Sequence, residues 1–390
     1  MDNHATTRVD PRVVEAMLPF LTEQYGNAGS ITHSLGTSAL DEVDRARASI
    51  AAAIGARPRE IVFTSGATES NNLAIFGAVN GVRSRSKHII SIATEHRAVL
   101  DPLKELRSRG CDVTLLPVAQ VGSPQAGIVD VQQLAEALRE NTSFVSVMLA
   151  NNEIGAIHPI AQIGRICREH GVPLHCDATQ AVGRLPLNVD ELGVDLLSFS
   201  AHKIHGPKGV GALFVRCRDA QTRLIPQILG GGQERGLRSG TLNVPGIVGF
   251  AKALELCTDG IEVEESRLRD LRTSLCRRLM ASIEEVFLNG PTLDVPALRL
   301  ANNLNLCFAG VDGDVLMMNL KGVAVSSGAA CSTSNPELSH VLRAIGLRDD
   351  QVQGSLRFGL GRFNTMDDVS IVAELVTEAV CKSRRIATCG

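Results

Sequence analysis

Two apolar runs decide the fold of this chain, one ending in H-C-D-A-T-Q (His175 to Gln180) and the other in S-F-S-A-H-K (Ser198 to Lys203). Each run has the length of a buried strand, and each is followed at once by polar side chains. Ligands of doubly wound sheets bind outside the carboxyl ends of the strands. The sequence therefore predicts an α/β fold with a ligand site at the ends of two neighbouring strands.

The rest of the amino-terminal two thirds repeats this rhythm. Short apolar runs alternate with longer amphipathic or polar segments, which is typical of a mainly parallel sheet with crossover helices. We expect strands at Ile61 to Thr64, Ile89 to Ala93, Val113 to Pro117, Phe144 to Leu149, Pro173 to Cys176, Leu196 to Ser200 and Gly211 to Val215.

A second domain is predicted after the turn-rich segment G-G-G-Q-E-R-G-L-R-S-G-T (Gly230 to Thr241). A helical pattern begins at Pro245 and continues through a charged stretch to Arg278, so we expect one long helix leading into strands and helices. The predicted division is a large α/β domain over residues 11–255 and a small α+β domain formed by residues 1–10 and 256–390.

Composition narrows the range of partners. The 390 residues include 39 basic and 42 acidic side chains, for a net charge of -3, and no long basic run occurs. Nucleic acid and anionic membranes are therefore excluded as main partners, and a small, nearly neutral substrate is expected. No apolar stretch reaches the roughly 18 residues of a spanning helix, and the amino terminus lacks signal-peptide features, which predicts a cytoplasmic protein.

The ten cysteines are spread without any C-x-x-C pair, which favours reduced thiols over a disulfide framework. Cys176 and Cys307 lie inside apolar runs and are expected to be small core residues.

The residues at the two strand ends fit a pyridoxal phosphate site. An aldehyde cofactor needs a lysine amine for a Schiff base and a carboxylate that keeps its ring nitrogen protonated. Lys203 and Asp177 could supply both. Lys203 directly follows a strand, whereas Lys208 lies in a Gly-Pro turn that would direct it to solvent, so Lys203 is preferred.

Three other segments could complete such a site, although each also has an ordinary structural interpretation. A turn at Gly66 precedes a helix opening near Thr68, which suits a phosphate but is also a common N-cap. His96 follows a strand and could stack on an aromatic ring or move protons, or it could be a plain loop histidine. The asparagines of N-N-E-I-G (Asn151 to Gly155) could bind the ring hydroxyl or a substrate carboxylate, or simply form a turn.

At this point the chain resembles the cysteine desulfurases of the NifS and IscS type, within class V of the fold type I pyridoxal phosphate enzymes. The resemblance extends over nearly the whole chain and includes A-T-T-R-V-D-P-R-V at Ala5, T-S-G-A-T-E-S-N-N at Thr64, A-T-E-H-R-A-V-L-D at Ala93, N-N-E-I-G at Asn151, D-A-T-Q at Asp177, S-A-H-K-I-H-G-P-K-G at Ser200, G-G-G-Q-E-R-G-L-R-S-G-T at Gly230, S-S-G-A-A-C at Ser326 and L-R-F-G-L-G-R-F at Leu356. It implies a seven-stranded, mainly parallel sheet in the large domain.

The resemblance also implies a role for individual residues around pyridoxal 5'-phosphate. Lys203 would carry the Schiff base, Asp177 would pair with the pyridine nitrogen, and His96 would stack on the ring and serve as acid or base. The remaining implied contacts are Gln180 and Asn152 to the ring oxygen or substrate, Ala67, Thr68, Ser200 and His202 to the phosphate, Thr241 to the phosphate of a neighbouring subunit in a homodimer, and Arg357 to the substrate carboxylate.

Cys331 distinguishes the implied reaction from transamination. The resemblance implies that its thiolate, on a mobile loop of the small domain, takes sulfur from L-cysteine as a persulfide and leaves L-alanine. The acceptor would be an iron–sulfur scaffold or a tRNA-thiolation protein. No resident metal is expected, and Cys331 is a candidate only for transient contact with an iron–sulfur cluster.

Two other functions stay open at this stage. One is a different class V activity, such as selenocysteine lyase or an aminotransferase, for which Cys331 would be dispensable. The other is a non-catalytic sulfur-relay scaffold, which would have no physical need for Lys203, Asp177 and His96 together.

Overall fold

The computed structural model of the chain describes residues 1–81, 87–217, 223–328 and 338–389. The strands are β1 Ile61–Thr64, β2 His88–Ile92, β3 Asp112–Leu116, β4 Thr142–Ser146, β5 Leu174–Asp177, β6 Leu196–Ser200, β7 Gly211–Val215, β8 Val286–Leu288, β9 Asn303–Phe308, β10 Ser326–Ser327 and β11 Ser355–Gly359. The α-helices are α1 Pro11–Met17, α2 Ser34–Ala53, α3 Ala67–Gly81, α4 Arg97–Ser108, α5 Val131–Ala137, α6 Ile160–Glu169, α7 Val189–Leu192, α8 Val244–Thr258, α9 Ile261–Ser282, α10 Gly313–Asn319, α11 His340–Ala344, α12 Asp349–Gln353 and α13 Met366–Cys389.

A seven-stranded sheet forms the centre of the larger part, in the order β1-β7-β6-β5-β4-β2-β3. The pairings among β6, β5, β4, β2 and β3 are parallel, and β7 runs antiparallel to both of its neighbours. The strands β1, β2, β5, β6 and β7 are buried along their whole length, as expected for a sheet covered by helices on both faces. The predicted fold class is confirmed, and each of the seven apolar runs overlaps a strand.

The carboxyl ends of β5 and β6 lie side by side, because Asp177 pairs with Ser198 in the parallel register. This register brings the polar residues that follow each strand to one edge of the sheet. Beside them, Gly211 of β7 lies so close to Gly66 that a Cβ on Gly211 would be 2.7 Å from the Gly66 Cα. Only glycine fits there, so the turn before α3 can pack directly against the sheet.

A second sheet, with the order β10-β11-β9-β8, is antiparallel throughout. It packs with α9 and α13 around a separate apolar core that includes Leu275, Phe308 and Phe358. The amino terminus joins this sheet, because Asp2 forms a bridge with Gly359. The domain limits at residues 10 and 255 remain a prediction.

The helical pattern from Pro245 to Arg278 is two helices, so the prediction of one long helix is wrong. Helix α8 ends at Thr258 and α9 begins at Ile261. Between them Gly260 has a φ of 77°, in the left-handed region that glycine adopts without strain. In the described ranges, no helix combines the length and the apolar character needed to cross a membrane.

Candidate active site

A cavity of about 550 Å³, called the main cavity here, opens at the carboxyl ends of β5 and β6. Its size suits a bound cofactor. Nine of the ten predicted cofactor residues line it: Ala67, Thr68, His96, Asn152, Asp177, Gln180, Ser200, His202 and Lys203. The sheet and its first turns therefore gather side chains that are up to 136 positions apart in the sequence (67 to 203).

Lys203 ends the short 3-10 helix that follows β6. Its Nζ donates hydrogen bonds to the main-chain oxygens of His4 at 2.6 Å and Ala5 at 2.8 Å. Burial disfavours the ammonium form and lowers the pKa of Lys203 from 10.5 to about 8; the nearby Arg357 charge acts in the same direction. A substantial fraction of this amine is therefore neutral, and nucleophilic, near neutral pH.

Asp177 ends β5 and is 4% exposed. Its two carboxylate oxygens have separate donors: Oδ2 accepts from Asn71 Nδ2 at 2.7 Å, and Oδ1 accepts from the Thr179 main-chain N–H at 2.9 Å. These bonds fix the orientation of the buried Asp177 carboxylate at one wall of the main cavity.

His96 is the N-cap of α4, and its Nδ1 accepts a hydrogen bond of 3.0 Å from the Ala98 main-chain N–H. Nδ1 is therefore the acceptor, which leaves the proton of the neutral ring on Nε2. Burial lowers the pKa of His96, so the neutral imidazole is favoured. The preceding residue, Glu95, is buried, and burial raises the pKa of its carboxyl well above the usual value.

The start of α3 makes part of the main cavity suited to an anion. Helix α3 begins at Ala67, and the first N–H groups of a helix carry the positive end of its dipole. Ser200 lies next to this turn, with its Oγ 3.9 Å from the position of a Cβ on Gly66. His202 lines the same cavity and hydrogen-bonds through Nδ1 with Thr6 Oγ1 at 3.1 Å.

Gln180 is held by the amino-terminal segment. Its Nε2 donates to the His4 main-chain oxygen at 3.1 Å, and its Oε1 hydrogen-bonds with His4 Nδ1 at 3.0 Å. Since Lys203 donates to the same carbonyl oxygen, residues 4 to 6 form a wall of the site.

Arg357 lies in a neighbouring cavity of about 400 Å³, called the second cavity, which shares His96 and Asn152 with the main cavity. Its Nη2 donates to Asp2 Oδ1 at 3.0 Å and to Ser326 Oγ at 2.7 Å, and its Nη1 donates to the Asn152 main-chain oxygen at 3.2 Å. The side chain is 11% exposed. A guanidinium held in this way is suited to binding a carboxylate.

Three further predicted residues differ in their relation to the main cavity. Thr241 is exposed and is not among the residues that line the main cavity of its own chain. Lys208 is exposed, as predicted, although it lines the rim of the main cavity. Cys331 lies outside the described residues, but the two positions that flank its segment, Gly328 and Leu338, both line the second cavity.

The side chains present fit pyridoxal phosphate. A lysine with a lowered pKa, a buried carboxylate, a neutral imidazole and a helix N-terminus border one cavity. In addition, Asn71 Oδ1 and Thr179 Oγ1 are buried beside Asp177 without a hydrogen-bond partner in the described structure. Polar atoms left in this way indicate that the cavity is built around a polar ligand.

Sequence reasoning missed Asn71 and the amino-terminal wall. Asn71 belongs to the motif T-S-G-A-T-E-S-N-N and falls one helical turn after Ala67, on the side of α3 that faces the sheet. The helical periodicity of α3 could have singled it out, because position 71 lies on the buried face of α3, whereas position 72 is only partly buried. His4 could not have been found, since its contacts to Gln180 span 176 positions.

The described cysteines differ in burial: Cys167, Cys176, Cys276 and Cys307 are buried, whereas Cys217 and Cys381 are exposed. Each of the eight whose side chains are described is free of a disulfide bond, and Cys176 and Cys307 are buried as predicted. Within the described part of the chain, no group of three or more His, Cys, Asp or Glu side chains is arranged to hold a metal ion.

Comparison with known proteins agrees with this geometry. The aminotransferase class V family model matches residues 1–372. A cysteine desulfurase IscS of Anaeromyxobacter sp. (strain Fw109-5) is 51% identical over 387 residues, covering 99% of this chain and 93% of that protein. The cysteine desulfurase of Homo sapiens is 46% identical over 387 residues, covering 99% and 82%. A solved NifS-like protein has a TM-score of 0.89 and 37% identity, with 98% of each chain covered. The chain therefore belongs to the class V aminotransferase family, on the branch that holds cysteine desulfurases of the IscS and NifS type.

Proposed function

We propose that this protein is a pyridoxal 5'-phosphate-dependent cysteine desulfurase. It converts L-cysteine to L-alanine, takes the sulfur on Cys331 as a persulfide, and passes it to an acceptor protein. The observation that carries the proposal is that Lys203, Asp177 and His96 border one cavity next to an arginine suited to the substrate carboxylate. The names of the similar proteins support the same activity.

The residues that would hold the cofactor fall into groups according to the part of the cofactor that they would bind. Asp177 would bind the protonated ring nitrogen, His96 would stack on the ring, and Gln180 would bind the ring oxygen. Ala67, Thr68, Ser200 and His202 would bind the phosphate at the start of α3. When bound, the cofactor supplies an electron sink that stabilises negative charge at the substrate α-carbon.

Proton transfer falls to Lys203 and His96. With a pKa lowered to about 8, Lys203 can be neutral when it takes the α-proton and can return it as an ammonium. His96 has Nδ1 fixed as an acceptor, so Nε2 is the nitrogen that can donate toward the cavity. Lys203 thus gives the site a base near neutral pH, and His96 gives it a hydrogen-bond donor at Nε2.

Arg357 and Asn152 would orient the substrate. Both line the second cavity, and Asn152 also lines the main cavity, so a cysteine bound between them would extend from one to the other. Asp2 now accepts a hydrogen bond from Arg357 Nη2. We infer that a substrate carboxylate competes with Asp2 for this guanidinium.

Cys331 would accept the sulfur. Its thiolate would attack the substrate sulfur, so that the new S–S bond forms as the substrate Cβ–S bond breaks; the electron pair of the broken bond stays on the carbon, and one proton replaces sulfur on Cβ. The net change, from L-cysteine and a thiol to L-alanine and a persulfide, balances without an external oxidant or reductant. Gly328 and Leu338 flank the Cys331 segment and line the second cavity, which supports delivery of the thiol there.

A homodimer, a protein acceptor and a cytoplasmic location complete the proposal. Large apolar side chains lie exposed along one segment, with Leu21 57%, Tyr25 68% and Ile31 70% exposed, and burial against a second copy would remove them from water. Thr241 is exposed as well, as needed for contact with a partner's phosphate.

The proposed acceptor of the sulfur is an iron–sulfur scaffold or a tRNA-thiolation protein. The proposed location is the cytoplasm, because free cysteines suit a reducing compartment.

The test is a product assay with cofactor-loaded protein, L-cysteine and excess thiol reductant. The proposal requires equal amounts of alanine and sulfide. Pyruvate or another keto acid in place of alanine would assign the chain to a different class V activity, and absence of any product would favour a non-catalytic scaffold.

A further inference from the structure

A series of hydrogen bonds connects the buried Arg299 with Gln180 in the wall of the main cavity. It passes through Asn303, the first residue of β9, and through His4 of the amino-terminal segment. All four side chains are at most 8% exposed. We call this series the Arg299–Gln180 network. Every contact in it can be assigned a donor and an acceptor, because several of its groups can play only one of these roles.

The orientation of the Asn303 amide is fixed by two partners. Arg299 Nη2 donates to Asn303 Oδ1 at 3.0 Å, and a guanidinium has no acceptor. Asn303 Nδ2 donates to the Glu153 main-chain oxygen at 3.0 Å, and a carbonyl has no donor. Asn303 Nδ2 also lies 3.3 Å from His4 Nε2. Because an amide nitrogen only donates, His4 Nε2 must be the acceptor.

The other side of the His4 ring requires the same protonation state. Gln180 Nε2 donates to the His4 main-chain oxygen at 3.1 Å, so the atom that lies 3.0 Å from His4 Nδ1 is the amide oxygen Oε1. An amide oxygen only accepts, hence Nδ1 carries the ring proton. Both sides of the ring therefore require the neutral tautomer with its hydrogen on Nδ1. A second proton, on Nε2, would face an N–H group of Asn303.

The surroundings of His4 keep its ring neutral. Burial disfavours the imidazolium form and lowers the pKa of His4 to about 3, and the nearby Arg357 charge acts in the same direction. The hydrogen bond with Gln180 opposes this shift, while the charges of Arg184 and Lys203 add to it. The donor and acceptor pattern of the ring is therefore constant near neutral pH.

Gln180 extends the network into the main cavity, which it lines. Its Oε1 is occupied by the His4 ring. Its Nε2 carries two N–H groups, and among the described residues this nitrogen has one acceptor, the His4 main-chain oxygen. The second N–H is left for a ligand of the cavity. At this point the site thus offers a donor and not an acceptor, which suits a ligand oxygen without a proton.

We propose that His4 and Asn303 are positioning residues that hold Gln180 as a hydrogen-bond donor toward the ring oxygen of pyridoxal phosphate. Such a donor favours the deprotonated ring oxygen, because a hydrogen bond to a charged form stabilises that form. Neither His4 nor Asn303 is among the residues that line the main cavity, so His4 acts through Gln180 and Asn303 acts through His4. The inference rests on the proposed binding of pyridoxal phosphate, but not on the proposed transfer of sulfur.

The test compares cofactor retention after dialysis among His4 variants of the cofactor-loaded protein. His4→Leu removes both ring nitrogens and should weaken retention about tenfold. His4→Asn should restore retention to nearly the wild-type level, because its amide nitrogen can replace Nδ1 as the donor to Gln180. Asn3→Ala is the matched control and should behave as the wild type. Asn3 Nδ2 anchors the same segment to the Gly359 main-chain oxygen at 2.9 Å but lies outside the network.

A double-mutant cycle separates positioning from packing. In a Gln180→Ala background, His4→Leu should cause no further loss of cofactor, since the group through which His4 acts is absent. Three results would overturn the proposal: wild-type retention by His4→Leu, equal losses in His4→Leu and His4→Asn, or a loss from His4→Leu that is as large in the Gln180→Ala background.

Nitrogen NMR of the histidine rings in the unloaded wild type tests the network even if the variants do not fold. We expect a proton on Nδ1 of His4 and none on Nε2 near neutral pH. The opposite tautomer, or protonation of both nitrogens, would refute the network. This measurement does not require bound cofactor. A wild-type protein that fails to bind pyridoxal phosphate would contradict the proposed function, and that failure is distinct from a wrong tautomer of His4.

Discussion

Asn71 Nδ2 donates a hydrogen bond of 2.7 Å to Asp177 Oδ2, and both residues are buried at the edge of the main cavity. Helix α3 is thereby tied to the end of β5. The same helix supplies the anion-binding turn at Ala67, so a single bond joins the proposed ring-nitrogen and phosphate ends of the site.

Replacement Asn71→Ala should weaken cofactor retention. A hydrogen bond to a charged group contributes about 1.5–3 kcal/mol, which corresponds to a loss of roughly 10-fold to 150-fold in affinity. Asn72→Ala is the matched control, because among the described residues Asn72 Nδ2 bonds to the Thr68 carbonyl of its own helix. Dialysis followed by cofactor quantification measures the effect, and equal retention by both variants would disprove this role for Asn71.

The pKa of Lys203 makes a prediction about pH. Burial disfavours the ammonium, so the pKa falls to about 8 and the neutral amine predominates above that pH. The rate at which the unloaded protein takes up pyridoxal phosphate should therefore rise through about pH 8 and then level off. An uptake rate that keeps rising until the pH reaches the ordinary lysine pKa would contradict the lowered pKa of Lys203.

Substitution of the two neighbouring lysines separates their roles. Lys203→Ala should abolish the visible absorption band of the lysine-bound cofactor. Lys208→Ala should retain the band, because Lys208 lies exposed at the cavity rim. A normal absorption band in Lys203→Ala would show that Lys203 is not the lysine that binds the cofactor.

Arg357→Gln should raise the KM for L-cysteine at least tenfold, because a neutral amide replaces the charged donor for the substrate carboxylate. Cofactor retention should not change, since Arg357 lies outside the main cavity. Steady-state kinetics measures the KM, and dialysis followed by cofactor quantification measures retention. Arg348→Gln, at an exposed ion pair, serves as the control, and an unchanged KM for Arg357→Gln would count against substrate binding there.

The burial of His158 should make the folded protein less stable in acid. It is 2% exposed, and burial lowers its pKa to about 3, so the folded state keeps it neutral. The unfolded chain binds the proton below about pH 6.5, hence stability falls as the pH drops from 6.5 toward 3. His158→Asn should reduce the loss of unfolding free energy between pH 6.5 and pH 5 by roughly 2 kcal/mol.

Urea unfolding at the two pH values provides the measurement for His158. The exposed His170→Asn should behave as the wild type. If His158→Asn loses as much stability as the wild type, burial of this imidazole is not a source of the acid sensitivity.

Much of the fold could be predicted because its strands are short and apolar on both faces. Strands buried on both faces appear in sequence as continuous apolar runs, and the runs at Ile61 and Leu196 coincide with β1 and β6. The pattern from Pro245 to Arg278 misled because the helical periodicity resumes after Gly260. A left-handed glycine changes the chain direction without interrupting the apolar spacing.

The site was predicted where side chains follow strand ends and missed where distant segments meet. Asp177 and Lys203 follow β5 and β6 directly, so topology alone brings them together. The His4 carbonyl that binds Lys203 comes from a segment 199 positions away, and no local pattern indicates that contact. Thr241 and Cys331 stay predictions, the first because it needs a second subunit and the second because it lies outside the described residues.

The most direct test of the account is a single-turnover reaction of cofactor-loaded protein with L-cysteine, followed by mass analysis of the Cys331 peptide and quantification of alanine. We predict a persulfide on Cys331 and one alanine for each persulfide formed, with neither accumulating in Cys331→Ala. Alanine formed at the wild-type level by Cys331→Ala, or a keto acid without any persulfide, would contradict it.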